Sequence, residues 1–241
     1  MLYNTKGIVL NTIKYSETNI IAKIYTDSSG LVSYIIRPAK KSRLGIKAGL
    51  FQPLTLIDFV AYHKKKPGLH SLKEITSCHQ FTGIPYDIKK SSVAIFIAEV
   101  LYKAIKEEEQ NKILFDFIYS SIELLDKTEG RVSEFNLYFL LELSQYLGFY
   151  PHGNYNEHLK IFNLYDGHFQ EHIPEHPYFI DAEMSRHFHK IIGKPFKEYN
   201  ESGTPSTIRK ELLNKILDYY RIHINGFNTL KSLAVLEEIF I

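Results

Sequence analysis

GIVLNTIKYSETNIIAKIYTDSSGLVSYII, residues 7–36, decides the fold. It contains three short runs rich in β-branched and aromatic residues: GIVLNTIK (7–14), NIIAKIYT (19–26) and, extended by one residue, LVSYIIR (31–37). Such runs, bounded by polar turn clusters, read as strands. DSSG at 27–30 is a tight-turn signal, because Asp and Ser bond their own backbone and Gly accepts a positive φ. Two more runs follow, LTLIDFVAYH (54–63) and LHSLKEIT (69–76), separated by KKKPG at 64–68. Five strands in the first eighty residues, joined mostly by hairpins, fit a small closed barrel better than an open sheet with bare edges. Five is the strand number of an OB-fold.

After FTGIPYD (81–87) the apolar period becomes helical, with Val93, Ile97, Val100, Leu101 and Ile105 on one side. EEEQN at 107–111 interrupts the run. Further helices are expected over 113–125 and 133–149, with Ser133 as N-cap and Gly148 as stop. The next stretch mixes Pro, Gly and His around two strand-like pieces, IFNLY and HFQE, flanking the turn DG. Helices return over 181–192, 207–224 and 230–240. The expected class is α+β: a barrel domain over 1–80 and a helical domain over 81–241 carrying an irregular insert at about 150–180.

Composition narrows the function classes. The chain has 241 residues, 44% of them hydrophobic, enough to fill well-packed cores without covalent staples. No stretch has the eighteen or so consecutive apolar residues of a membrane span. The start, MLYNTKGIVLNT, does not read as a signal peptide, and Cys78 is the single cysteine, so a reducing cytoplasm is the expected compartment. The net charge of +2 hides a division. Residues 1–80 hold twelve Lys and Arg against Glu17, Asp27, Asp58 and Glu74, a surplus of +8; the remainder carries −6. A concentrated positive field draws polyanions and binds them through counterion release.

The charge concentrates in RPAKKSRLGIKAGL (37–50), where Arg37, Lys40, Lys41, Arg43 and Lys47 have no acidic neighbour. Lys64, Lys65 and Lys66 fall in the last hairpin, which can bring them to another rim of the same barrel. With Tyr34, Phe51 and Tyr62 nearby in sequence as stacking rings, these are the ingredients of a single-strand groove: charge tracks the backbone and rings receive bases. The competing reading makes the loops solubilising and the rings core.

Other chemistry is poorly supported. His152, His158, His168, His172 and His176 crowd together, but Pro174 between the last two argues against a helix that would align them as metal ligands. Phosphate-binding glycine loops, GxSxG elbows, HExxH helices and Mg2+-type acidic clusters are missing, so neither catalysis nor a cofactor is expected. Glu107, Glu108 and Glu109 point in divergent directions at a helix end. The apolar helix FNLYFLLELSQYLGFY reads as core, or alternatively as a groove in which Tyr138, Phe139 and Leu143 meet a partner peptide.

Taken in order, these features resemble the RecO family of bacterial DNA repair proteins. The residues that carry the resemblance are the opening run, the basic segment followed by Gln52 and Pro53, LGFYP at 147–151, and INGFNTLKSLAVLEEI at 224–239. Pro38 departs from the family's usual Gly and fixes a φ angle in that loop. Many family members carry a four-cysteine zinc site where this chain has PHGNYNEH and YDGHFQEH, so the resemblance implies a zinc-finger-like insert without zinc ligands, steadied by packing within its hairpin. It implies a recombination mediator that is not an enzyme, associated with the nucleoid. Such a protein binds single- and double-stranded DNA, anneals strands coated with single-strand binding protein, and loads RecA together with RecR. The family also docks the acidic, apolar tail of single-strand binding protein on the helical domain. Lys127 and Arg131 are the expected carboxylate partners there, beside Tyr138 and Phe139. A different class remains open: a protein-interaction adaptor whose basic loop is only surface.

Overall fold

The computed structural model describes residues 2–17, 19–36, 48–62, 68–194, 196 and 203–240. Contacts divide the chain into two compact units, Met1–Lys127 and Thr128–Ile241. The strand-to-helix change at 81–87 falls earlier than this division, because the first two helices cohere with the barrel.

The first unit contains β1 (Leu2–Lys14), β2 (Ile20–Thr26), β3 (Gly30–Ile36), a 3₁₀ turn (Ala48–Phe51), β4 (Leu56–Tyr62) and β5 (His70–Ser77), then α1 (Ile88–Ala104) and α2 (Lys112–Lys127). The strands close a barrel in the order β1-β2-β3-β5-β4. This is an OB-fold with appended helices. All pairings are antiparallel except β3–β5, which matches Tyr34 with His70 and Ile35 with Ser71. Closure depends on β1, whose first half pairs with β4 and whose second half pairs with β2. Gly7 sits where the partners overlap, and an added Cβ there would lie 2.5 Å from Ile24 and 2.8 Å from Phe59. Alternate residues fill the interior, among them Val9, Ile24, Tyr34, Ile36, Ile57 and Phe59.

The expected DSSG turn forms at one barrel end. Gly30 takes φ +63°, and a side chain there would overlap the Glu107 and Glu109 carbonyl oxygens. Leu31 N–H donates to Glu107 O (3.0 Å) and the Gln110 carboxamide donates to Asp27 O (3.0 Å), tying the EEEQN segment to the turn.

A buried carboxylate fastens the connection between β5 and α1 to the end of α2. Asp126 accepts from the backbone N–H groups of Thr82 (3.0 Å), Gly83 (2.8 Å) and Ile84 (2.8 Å), while Lys90 Nζ donates to the Asp126 carbonyl (2.7 Å). Burial pushes this carboxyl up. The bonds from Thr82, Ile84, Gly83 and His79 outweigh that effect and hold it below the ordinary value.

The second unit contains α3 (Phe135–Tyr146), β6 (Ile161–Asn163), β7 (His168–Gln170), β8 (Phe179–Ile180), α4 (Ala182–Ile191), α5 (Ser206–His223) and α6 (Ser232–Phe240). The expected cap at Ser133 is displaced: Glu134 is the N-cap, with no side-chain capping bond. Its carboxylate instead accepts from Thr204 N–H (2.7 Å) in a fully buried position. The insert forms a sheet of order β7-β6-β8, of which β8 has too short a run to be read from periodicity. Rings hold it. Phe162 packs edge-on against Phe188 (4.9 Å) and Phe169 (5.0 Å), and Tyr155 against Phe169 (5.7 Å). Among the described residues no three His, Cys, Asp or Glu side chains group as metal ligands would, and no helix is long and apolar enough to cross a membrane.

Candidate nucleic-acid interface

Strand direction gives the barrel two distinct ends. β1 ends and β2 begins at the Lys14–Ile20 pair, Ile20 pairs with Ile36 at the end of β3, and Tyr34 pairs with His70 at the start of β5. β4 ends at Tyr62, with Ala61 paired to Leu72. The 15–19 hairpin, the end of β3, the end of β4 and the start of β5 therefore share one end. Arg37, Lys40, Lys41, Arg43 and Lys47, with Lys64, Lys65 and Lys66, lie outside the described residues. Ile36, which precedes the first segment, and the end of β4 and start of β5, which flank the second, belong to this shared rim, whereas β4 begins at the opposite end, where Leu56 pairs with Ile8. At the far end of β3, about 20 Å away for seven residues, lie Gly30 and the exposed Glu107, Glu108 and Glu109. A barrel with loops gathered at one end in this way suits strand binding, since OB-folds take oligonucleotides between the β1–β2 and β4–β5 loops.

The rings expected to stack divide. Tyr34 and Phe51 are core residues, 0% and 4% exposed, and a base cannot reach either. Tyr34 donates or accepts across to the Tyr3 hydroxyl (2.7 Å) and lies edge-on to Phe59 at 5.0 Å; burial drives its phenol far above the usual range. The reason is phase: Tyr34 falls two residues before the buried Ile36, so alternation sends it inward. Tyr62 is exposed at the rim, and so is Tyr15, in the β1–β2 hairpin, which the sequence reading passed over. Tyr15 stands in the turn YSETN, beyond the last residue of β1, where nothing directs a ring into the core. Lys14 beside it is also exposed. Gln52 and Pro53 are exposed and precede Leu54, a buried non-glycine residue at φ +61°.

On the tail-binding side, Lys127 and Arg131 are exposed, but Tyr138 and Phe139 are 3% and 0% exposed and belong to the helical core. α3 is apolar on nearly every side, and these two rings are packed inward. The second unit does contain an apolar groove between α3, α5 and α6, lined by Leu137, Leu213, Leu236 and Phe240 with Arg209 and Lys210 at its edge. Arg209 donates to Thr204 O (2.6 Å), and Lys210 pairs with Glu237 at 3.3 Å. Cys78 is half-buried near the Tyr119 hydroxyl, and burial pushes its thiol up, away from the reactive thiolate.

An OB barrel joined to a helical domain, with a small β insert packed by rings, defines a class of two-unit proteins. The chain matches the family described as "Recombination protein O N terminal" over residues 1–81 and "Recombination protein O C terminal" over residues 85–234. It is 38% identical over 245 residues to a DNA repair protein RecO of Flavobacterium psychrophilum, and 36% identical over 241 residues to one of Bacteroides fragilis. A third, from Porphyromonas gingivalis, is 30% identical over 244 residues; in all three cases the full length of both chains is covered. The chain belongs to the RecO family, and its role lies in DNA repair and recombination.

Proposed function

We propose that the protein acts as a recombination mediator by binding, without bond-making chemistry of its own. Its barrel rim holds single- and double-stranded DNA, complementary strands coated with single-strand binding protein anneal on it, and it works with RecR to load RecA. The observation that carries this reading is the convergence at one rim of the end of β3, from which the first basic segment departs, with the end of β4 and the start of β5, which flank the second, and with Tyr15 and Tyr62 exposed beside them. Neutralising phosphates on two strands lowers the repulsion that opposes pairing. Phosphate contacts position a strand without reading its sequence. Of the sequence-based residues, Arg37, Lys40, Lys41, Arg43, Lys47, Lys64, Lys65 and Lys66 keep this role. Tyr62 and Tyr15 take the stacking role expected of Tyr34 and Phe51.

The acidic, apolar tail of single-strand binding protein fits the groove between α3, α5 and α6, whose apolar floor and basic edge match its chemistry. Within this unit Arg209 and Lys210 join Arg131 as carboxylate partners. Annealing measured with intact and with tail-less single-strand binding protein tests both parts. Intact protein should support annealing that the tail-less form does not, and Leu213→Glu should reproduce the loss on intact protein only. Naked-strand annealing that is unchanged by Ala at Lys40, Lys41 and Arg43 contradicts the rim assignment and favours a pure protein adaptor.

A further inference from the structure

The insert exposes rings that its own packing does not use. Tyr165, His176 and Tyr178 form a cluster with centroid separations of 4.6 Å for Tyr165–His176, 5.2 Å for Tyr165–Tyr178 and 6.3 Å for His176–Tyr178. Tyr165 is 47% exposed and Tyr178 39%, whereas Phe162 and Phe169, which hold the sheet, are 0% and 3%. The backbone fixes the cluster: Asn163 pairs with Phe179 in the β6–β8 register, and Leu164 N–H donates to Tyr178 O (3.0 Å). Asp166, next to Tyr165, is exposed and held by the Asn163 carboxamide (2.6 Å), and Glu175, next to His176, is exposed as well.

Charge says what such a face attracts. Residues 150–180 contain Glu157, Asp166, Glu171 and Glu175 against Lys160 alone, so this insert carries −3 of the −6 of residues 81–241. A phosphate backbone is repelled there. A cation is drawn in, and the neighbouring ring already has one: Lys215 Nζ lies 5.7 Å from the centroid of Phe179. Among the described residues no cation covers Tyr165 or Tyr178.

We propose that the Tyr165–His176–Tyr178 face is a docking surface for a cationic, arginine-containing segment of a partner protein, its guanidinium groups stacking on the tyrosines while Asp166 and Glu175 supply the counter-charge. Arginine fits better than lysine because its planar, weakly hydrated head stacks on a ring and still bonds a carboxylate.

The test titrates a fluorescein-labelled peptide of alternating arginine and glycine into the full chain at low salt. Saturable binding is expected, about tenfold weaker with Tyr165→Leu plus Tyr178→Leu, retained with the Phe pair, and weaker again with Asp166→Asn plus Glu175→Gln. The lysine version of the peptide should bind less well, and Gln at Glu107, Glu108 and Glu109 should change nothing. Equal peptide binding by the wild type and the Leu pair overturns the proposal. So does loss of binding confined to the Glu107–Glu109 variant, or a fall in single-strand DNA affinity in the Leu pair, which makes the face a nucleic-acid site. Should the Leu pair unfold, the Phe pair and the charge variant decide alone: loss in the former, or full binding in the latter, rejects the face. Failure of the rim to bind DNA would leave this result standing, since the two surfaces are read by different probes.

Discussion

The barrel and the insert are both small β structures, yet they are held together in opposite ways. The barrel spreads cohesion over strands of seven to thirteen residues, each sending alternate side chains inward, and its closure survives a register shift between Val9 and Asn11. The insert has strands of three, three and two residues, too few ladder bonds to hold a sheet, and it concentrates cohesion in Phe162, Phe169, Phe188 and Tyr155. A distributed core tolerates change at any one place. A concentrated one does not.

The largest expected effect is therefore in the insert. Phe162→Ala removes a ring that touches three others, Phe169, Phe188 and Tyr219, and should cost about 3–5 kcal/mol in urea unfolding of the full chain. Protection from hydrogen exchange should vanish over 161–180 while the barrel keeps its own. Loss of protection in both regions together would show that they do not differ in this way.

Next comes Asp126→Asn, which turns an amide toward backbone N–H groups that need an acceptor and should cost about 2–3 kcal/mol. The carboxyl is held below its ordinary value of 3.8, so its contribution is complete above that value and is lost as pH falls through the lower folded value. Unfolding free energy measured from pH 6 to 2 should drop in the wild type and drop less in the Asn variant. Parallel curves would remove the clamp from the account.

In the barrel, Ile57→Val at a fully buried position should cost only about 1 kcal/mol and leave strand protection intact. At the small end, EDTA should leave the melting temperature of the insert unchanged, because contacts among Phe162, Phe169 and Phe188 hold it. A shift of several degrees on chelation would contradict the ring-held picture.

This difference also explains what the sequence made legible. Strand alternation over 7–36 and the turn at DSSG located the first three barrel strands within a residue or two, apart from β1, which starts at Leu2. Asp87 and Asp181, capping α1 and α4, are ordinary Asp N-caps. The harder features depend on partners remote in sequence. Tyr34 fits a stacking ring or a core ring by composition alone, and its phase with Ile36 places it inside. Glu134, 70 residues from Thr204, and β8, which exists only because Phe162 and Asn163 are there to pair with it, have no local signature. The nearness of the end of β3 to the start of β5 follows from their parallel pairing, which no hairpin pattern announces.

The central claim is that this rim neutralises phosphates. It is tested most directly by single-strand affinity measured from about 50 to 200 mM salt, for the wild type and for Ala at Lys40, Lys41 and Arg43. The account predicts a steep, linear fall of log affinity with log salt in the wild type, and a slope smaller by about 2–3 in the variant whatever the strand sequence. Equal slopes, or wild-type affinity indifferent to salt, would contradict it.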